Sequence, residues 1–195
     1  MSLGQGSPLK MHVGLLGRFA AAFTASSFAV FGLAAAIGLT AARVLPLAAR
    51  GAAACGVLFA ALLLDAYSFK RKTWCPVTLR RQTPQTVIFQ HGARRAAAAW
   101  GLDAGLVFTT YRVSSISWAL LALALAGVTP WWAGLGYAAG FLVPLLLGCT
   151  LSVAIPGGDG TVAIAHALAS RPHLARATCV AALTIALGVA GASLA

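Results

Sequence analysis

An all-α fold, a polytopic integral membrane bundle of about five transmembrane helices, is what this sequence predicts, and three observations predict it. The chain is 60% hydrophobic with only 9% charged residues, whereas soluble domains carry about 25% charge. Its apolar residues fall into long uncharged runs, and its basic residues fall between them. Residues 70–95 hold seven of the fourteen cations: Lys70, Arg71, Lys72, Arg80, Arg81, Arg94 and Arg95. Such a stretch cannot lie in hydrocarbon. By the positive-inside rule it is a cytoplasmic loop, which orients the remainder. A single membrane domain then covers 1–195, with a cytoplasmic N-terminus and an external C-terminus in the cell's inner membrane.

Taken in order, residues 1–12 read as a short flexible tail. The 24 residues Phe19–Ala42 carry no charge and as a helix reach about 36 Å, enough for a tilted crossing. This run is read as a retained span, since no cleavage site precedes a mature domain. Arg43, Pro46 and Arg50 mark a tight turn. A second span, 51–69, returns to the basic loop with Asp65 near its cytoplasmic end, in reach of Lys70 or Arg71. The third, 97–127, is interrupted by Asp103 and Arg112. It is longer than one crossing needs, and a tilted helix, an interfacial first turn or a broken helix each fit it. Val128–Trp132 is a turn with two Trp at interfacial depth. A fourth span, 133–155, contains Gly136-x-x-x-Gly140 for close helix contact and Pro144 as a site for a kink.

After a turn at Pro156–Gly160, residues 161–170 are too short to cross and read as a surface or re-entrant helix. Arg171 and Arg176 then precede a fifth span at 177–195. Eleven cations fall inside, two outside and one, Arg112, within a span. A faint internal repeat relates Phe23-Thr24 with Ser26-Ser27 to Phe108-Thr109-Thr110 with Ser114-Ser115.

Candidate chemistry lies in two places. Asp103, Thr110, Ser114 and Ser117 are spaced i, i+7, i+11 and i+14, within about 40° of one line on a continuous helix. Arg112 points to the opposite side. Ionisable residues at membrane depth face protein or water, so this stripe is a pathway lining or interhelical glue. The second place is the basic loop, where Cys75 sits beside Lys70, Arg71 and Lys72 and is the thiol best placed for reactivity. Cys55, Cys149 and Cys179 read as small buried hydrophobes. The Trp100–Gly105 patch has glycines that allow close backbone approach or a helix break.

Several classes are excluded. The +11 charge belongs to loops facing anionic headgroups, so nucleic acid is not an expected partner. The four Cys and four His show no ligand spacing, so no metal site is expected. No Ser–His, Asp–Asp or zinc-hydrolase constellation is present, so no catalytic residue is assigned, an enzyme is not the expectation, and no cofactor is indicated.

Gly101-Leu102-Asp103-Ala104-Gly105-Leu106-Val107-Phe108-Thr109-Thr110, with Val113-Ser114-Ser115 and the run to Gly127, resembles part of the DsbD/CcdA-type family. These are transmembrane thiol–disulfide carriers associated with cytochrome c biogenesis and reductant export. Tyr111-Arg112-Val113-Ser114 stands where that family's Cys and Pro fall, so its redox cysteines have no match here. The family's inverted architecture also differs from the parallel hairpins inferred above. Two functions follow as expectations. One is a membrane subunit or assembly factor that docks a protein partner on Lys70, Arg71, Lys72, Arg80, Arg81, Arg94 and Arg95, in a redox or maturation pathway, against an anionic bilayer. The other is a small transporter or thiol relay.

Overall fold

The computed structural model describes residues 8–71, 86–107, 114–154 and 172–192. Six helices are found among them, and no strand: α1 (Pro8–Val44), α2 (Leu47–Arg71), α3 (Thr86–Gly105), α4 (Ile116–Leu125), α5 (Ala133–Ala154) and α6 (Pro172–Ala192). Two segments, Val13–Val44 and Leu47–Lys70, are long and apolar enough to cross a bilayer.

α1 is the shared element. Its first half packs against α3 and α5 and its second half against α4, while α2 packs against α4 and α6. The α1–α3 contact depends on small residues. A side chain at Gly101 would collide with the Phe19 carbonyl, and one at Gly105 with the Phe23 carbonyl and the Ser26 hydroxyl. Ala97, Gly101 and Gly105 recur every four residues, so one face of α3 is nearly bare backbone and α1 seats directly on it. Gly101 and Gly105 meet successively later positions on α1, which makes the two helices parallel.

Aromatic rings join α1 to α5. Phe23 stacks on Phe141 at 4.6 Å and on Tyr137 at 5.9 Å, and Phe31 lies 5.1 Å from Tyr137. Such pairs contribute about 0.5–1.5 kcal/mol each beyond area burial. α4 is a wedge with two apolar faces. Ala124 joins Phe31, Ala34 and Val107 on the α1 side, and Ala119 joins Leu58, Ala61 and Leu183 on the α2–α6 side. The outward faces carry Leu33, Ile37, Leu39, Phe59, Leu63, Val143 and Ile185, all exposed.

Several expectations change. The helix over 8–12 replaces the predicted tail, because Lys10 and Arg18 stop an apolar run without stopping a helix. The loop assigned to 70–95 is helical from Thr86, with a break at Gly92 (φ 76°, ψ 161°), a region open essentially to glycine alone. The third span is not continuous: α3 ends at Gly105 and α4 starts at Ile116, realising the broken-helix alternative. Gly136 and Gly140 face open space, and Gly134 instead lies against Ser27 and Phe28. That contact also places the start of α5 beside the middle of α1. Trp131 and Trp132 are exposed, with Trp131 edge-on to Phe28 at 5.8 Å, so this turn packs along α1 and not beyond its end. α5 runs through Pro144 as one helix. The Pro156–Gly160 turn and residues 161–170 lie outside the described residues.

Gly101→Val is expected to destabilise the fold by about 1–3 kcal/mol, the usual cost of overpacking. Gly136→Ala should leave it unchanged or raise it by up to about 1 kcal/mol, since an open helix glycine gains propensity. Thermal unfolding of both variants in the same detergent provides the comparison.

Candidate functional site

The break between α3 and α4 leaves two helix ends inside the bundle, each with unpaired backbone groups. The α3 end is met by α1, where the Ser27 hydroxyl donates to the Gly105 carbonyl at 3.3 Å. The α4 end is met by α2 through Asp65, which is 5% exposed. Ser115 donates to Asp65 Oδ1 from both its backbone N–H and its hydroxyl, each at 2.7 Å. The Ser114 hydroxyl donates to Oδ2 while accepting the Ile116 N–H at 3.1 Å. A carboxylate only accepts, so three donors on its two oxygens meet most of its capacity. Hydrogen bonds to a charged group contribute about 1.5–3 kcal/mol each, against the cost of burying the carboxyl.

The other end of α4 is closed by the same helix. Gly127 (φ +69°) turns the chain after Ala126, and its N–H and that of Val128 return to the Ala124 and Leu123 carbonyls. The left-handed residue is glycine for the usual C-terminal reason. Arg50 Nη1 donates to the Gly127 carbonyl at 3.0 Å, and Gly127 rests on the backbone of Gly38. α2 therefore presents an acid to the positive end of α4 and a base to its negative end, the favourable arrangement for a helix dipole.

Cys179 adds a third helix to the site. It is half-buried and not in a disulfide, and it lies beside Ser114 and Asp65. Thiol, hydroxyl and carboxylate thus lie close together where α6, the start of α4 and α2 meet. The hydrogen-bonded carboxyl and hydroxyls can hold or pass a proton. Among the described residues no group of three or more His, Cys, Asp or Glu converges as a metal site.

The predicted residues fare unevenly. Ser114 is in the cluster. Ser117 is buried on α4 with its hydroxyl unpartnered. Asp103 lies half-buried on α3, across the break from both, so the single stripe is not formed. Thr110, Arg112, Cys75, Lys72, Arg80 and Arg81 lie outside the described residues. Arg94, Arg95 and Lys70 are exposed, and Arg71 ends α2.

Asp65 was expected to reach outward to Lys70 or Arg71; it turns inward to serines instead. Its own helix carried the signal. Ala54, Leu58, Ala61, Asp65 and Ser68, spaced alternately by four and three, form the buried seam of α2. An acid on that register faces the bundle.

Asp65→Ala is expected to destabilise the protein more than any other single change at the break, by at least about 1–3 kcal/mol for the donors left unpaired. Ser115→Ala should cost less and Arg50→Gln less again, because each removes fewer bonds. Unfolding midpoints of the three variants in detergent give the ranking, and a wild-type midpoint for Asp65→Ala would deny Asp65 the capping role. No protein-family model matches the chain, and the comparisons with curated proteins and with solved structures returned no match.

Proposed function

We propose that this chain is a multi-pass membrane protein acting as a small proton-linked transporter, with Asp65 at the α3–α4 break as its polar centre. The observation that carries this is a nearly fully buried carboxylate facing a helix broken inside an otherwise apolar bundle. Ionisable groups are expensive in such surroundings and mark ion or proton pathways. Half-helix ends paired across a break are a recurrent way of building transport sites at membrane depth. Membrane residence itself is supported by the two long apolar helices and by the Leu, Ile and Phe side chains on the outward faces.

In this proposal α1 and α2 cross the bilayer, α3 and α4 together make a discontinuous third crossing, α5 starts beside the middle of α1 and returns to the cytoplasmic side, and α6 makes the last crossing. The N-terminus is cytoplasmic and the C-terminus external. Asp65, Ser114 and Ser115 hold the transferred proton or its partner solute, and Arg50 keeps α4 in register.

A second reading, a thiol relay of the kind the DsbD/CcdA resemblance implies, is favoured by one observation. Among the described residues Cys179 is the thiol that lies beside the Asp65 cluster, which makes it the candidate redox group of this reading. The two readings separate cleanly. Proteoliposomes with a trapped pH dye should dissipate an imposed pH gradient faster than protein-free vesicles, and Asp65→Asn should return the rate to the protein-free level. Cys179→Ser should leave that rate largely intact. Loss of flux in Cys179→Ser with retention in Asp65→Asn would move the centre to the thiol, and wild-type vesicles as tight as empty ones would remove the proton pathway altogether.

The orientation has its own test. Single cysteines at Leu45, between α1 and α2, and at Gln90, before the α3 break, should label from opposite sides of intact cells. An impermeant maleimide should reach position 45 from outside and position 90 only after permeabilisation.

A further inference from the structure

The first ten residues of α3 stand away from the bundle. Thr86–His91 is a single short helical piece. Gly92 then breaks the helix, and every described side chain from Thr86 to Arg95 is exposed, with Phe89 at 87%. At the next position the environment changes abruptly, for Ala96 is 1% exposed and Ala97 is buried. A helix of six residues is too short to hold itself in water, so it needs a surface to lie on. Within the described structure it has none.

The chemistry of that surface can be read from the segment. Ile88 and Phe89 are apolar and exposed, and Arg94 and Arg95 follow directly after the bend. No acidic residue occurs between Asp65 and Asp103, so this stretch complements only negative charge. Because α3 runs parallel to α1 with Gly101 beside Phe19 and Ala22, equal rise along both helices sets Arg94 at about the level of Val13. Val13 is itself exposed and apolar, and Arg18, about one and a half turns further on, is exposed and basic. Apolar wedge and cations therefore continue the outward apolar face of α1 at its basic end. An acidic soluble protein would match the charge but would leave that continuity unused.

We infer that residues 86–95 form an interfacial elbow that lies in an anionic lipid headgroup layer, with Phe89 and Ile88 inserted at the acyl boundary and Arg94 and Arg95 on lipid phosphates. This rests on the membrane residence proposed above and not on the Asp65 pathway. Gly92 supplies the bend, because its backbone angles are closed to residues with a side chain. Insertion of an apolar ring together with phosphate pairing is the known physics of interfacial helices.

The test uses a nitroxide at position 89. Phe89→Cys and, as a control, Leu33→Cys are made with the four native cysteines replaced, and each full-length protein is placed in nanodiscs. The discs contain phosphatidylcholine alone or equal parts of phosphatidylcholine and phosphatidylglycerol. Power-saturation EPR then compares collision with oxygen, enriched in lipid, and with a water-soluble nickel chelate. The position 89 label is expected to be oxygen-accessible and shielded from nickel in the anionic discs. It should shift toward nickel access in pure phosphatidylcholine and in Arg94→Gln/Arg95→Gln. A label at 89 that nickel reaches equally in both lipids, with Leu33→Cys shielded, overturns the elbow alone and leaves the segment to a soluble partner. A Leu33 label open to nickel overturns membrane residence and the elbow together. Native cysteines are kept in a parallel measurement: phosphatidylglycerol retained after detergent extraction, counted by native mass spectrometry, should fall in Arg94→Gln/Arg95→Gln, and unchanged retention counts against the elbow.

Discussion

The structure depends on how α4 is held at its two ends. α4 is ten residues long, below the length at which a helix is stable by itself. Its apolar faces wedge between α1 on one side and α2 with α6 on the other, but packing alone does not satisfy the backbone groups exposed where a helix stops. Asp65 accepts from Ser114 and Ser115, just before the first residue of α4, and Arg50 donates to the carbonyl of Gly127, just past its last. Both come from α2, which runs the other way, so an acid late in α2 meets the start of α4 and a base early in α2 meets its end. Without these two side chains a break in the middle of the bundle would expose orphan amides and carbonyls to apolar surroundings, at a cost of several kcal/mol.

Much of this was legible in the sequence, and the failures have physical causes. The all-helical class followed from composition, and the helices over the first two predicted spans followed from long apolar runs, uncharged in the first and carrying only Asp65 in the second. Their ends did not, because a cation such as Arg18 ends an apolar window while remaining a good helix former. The break after Gly105 was one of three readings of the third span, and nothing local decided among them. The decision came from partners on other helices: Ser27 seventy-eight positions away from Gly105, and Asp65 fifty positions from Ser115. The serine-rich similarity between residues 26–27 and 114–115 has a spatial counterpart of a limited kind. Both pairs border the break, but one lies within α1 and the other opens α4, so they are not equivalent halves of a repeat.

The surroundings of Asp65 were hidden in the sequence for the same reason. Asp103 sits deeper within its apolar run, whereas Asp65 lies close in sequence to the basic stretch that begins at Lys70. Register outranked proximity. Asp65 occupies the inward seam of α2 with Ala54, Leu58, Ala61 and Ser68, and small residues there let α4 come near enough to use its carboxyl. The same logic governs glycine. Gly136 and Gly140 have the familiar spacing and meet nothing, while Gly101, Gly105 and Gly134 are placed where another backbone arrives.

The double hold on α4 also makes α2 a ruler. Arg50 and Asp65 are fifteen residues apart, about 22 Å along a helix, and Ser115 to Gly127 covers about 18 Å. The remaining few ångströms are spanned by the side chains themselves. One residue inserted between Arg50 and Asp65 would lengthen the ruler by about 1.5 Å and, more seriously, turn one terminal group about 100° away from α4. A residue inserted within α4 would do the same from the other side. The lengths of these two helices are therefore locked to each other although their sequences are not, and a change in one can be accommodated only by a matching change in the other.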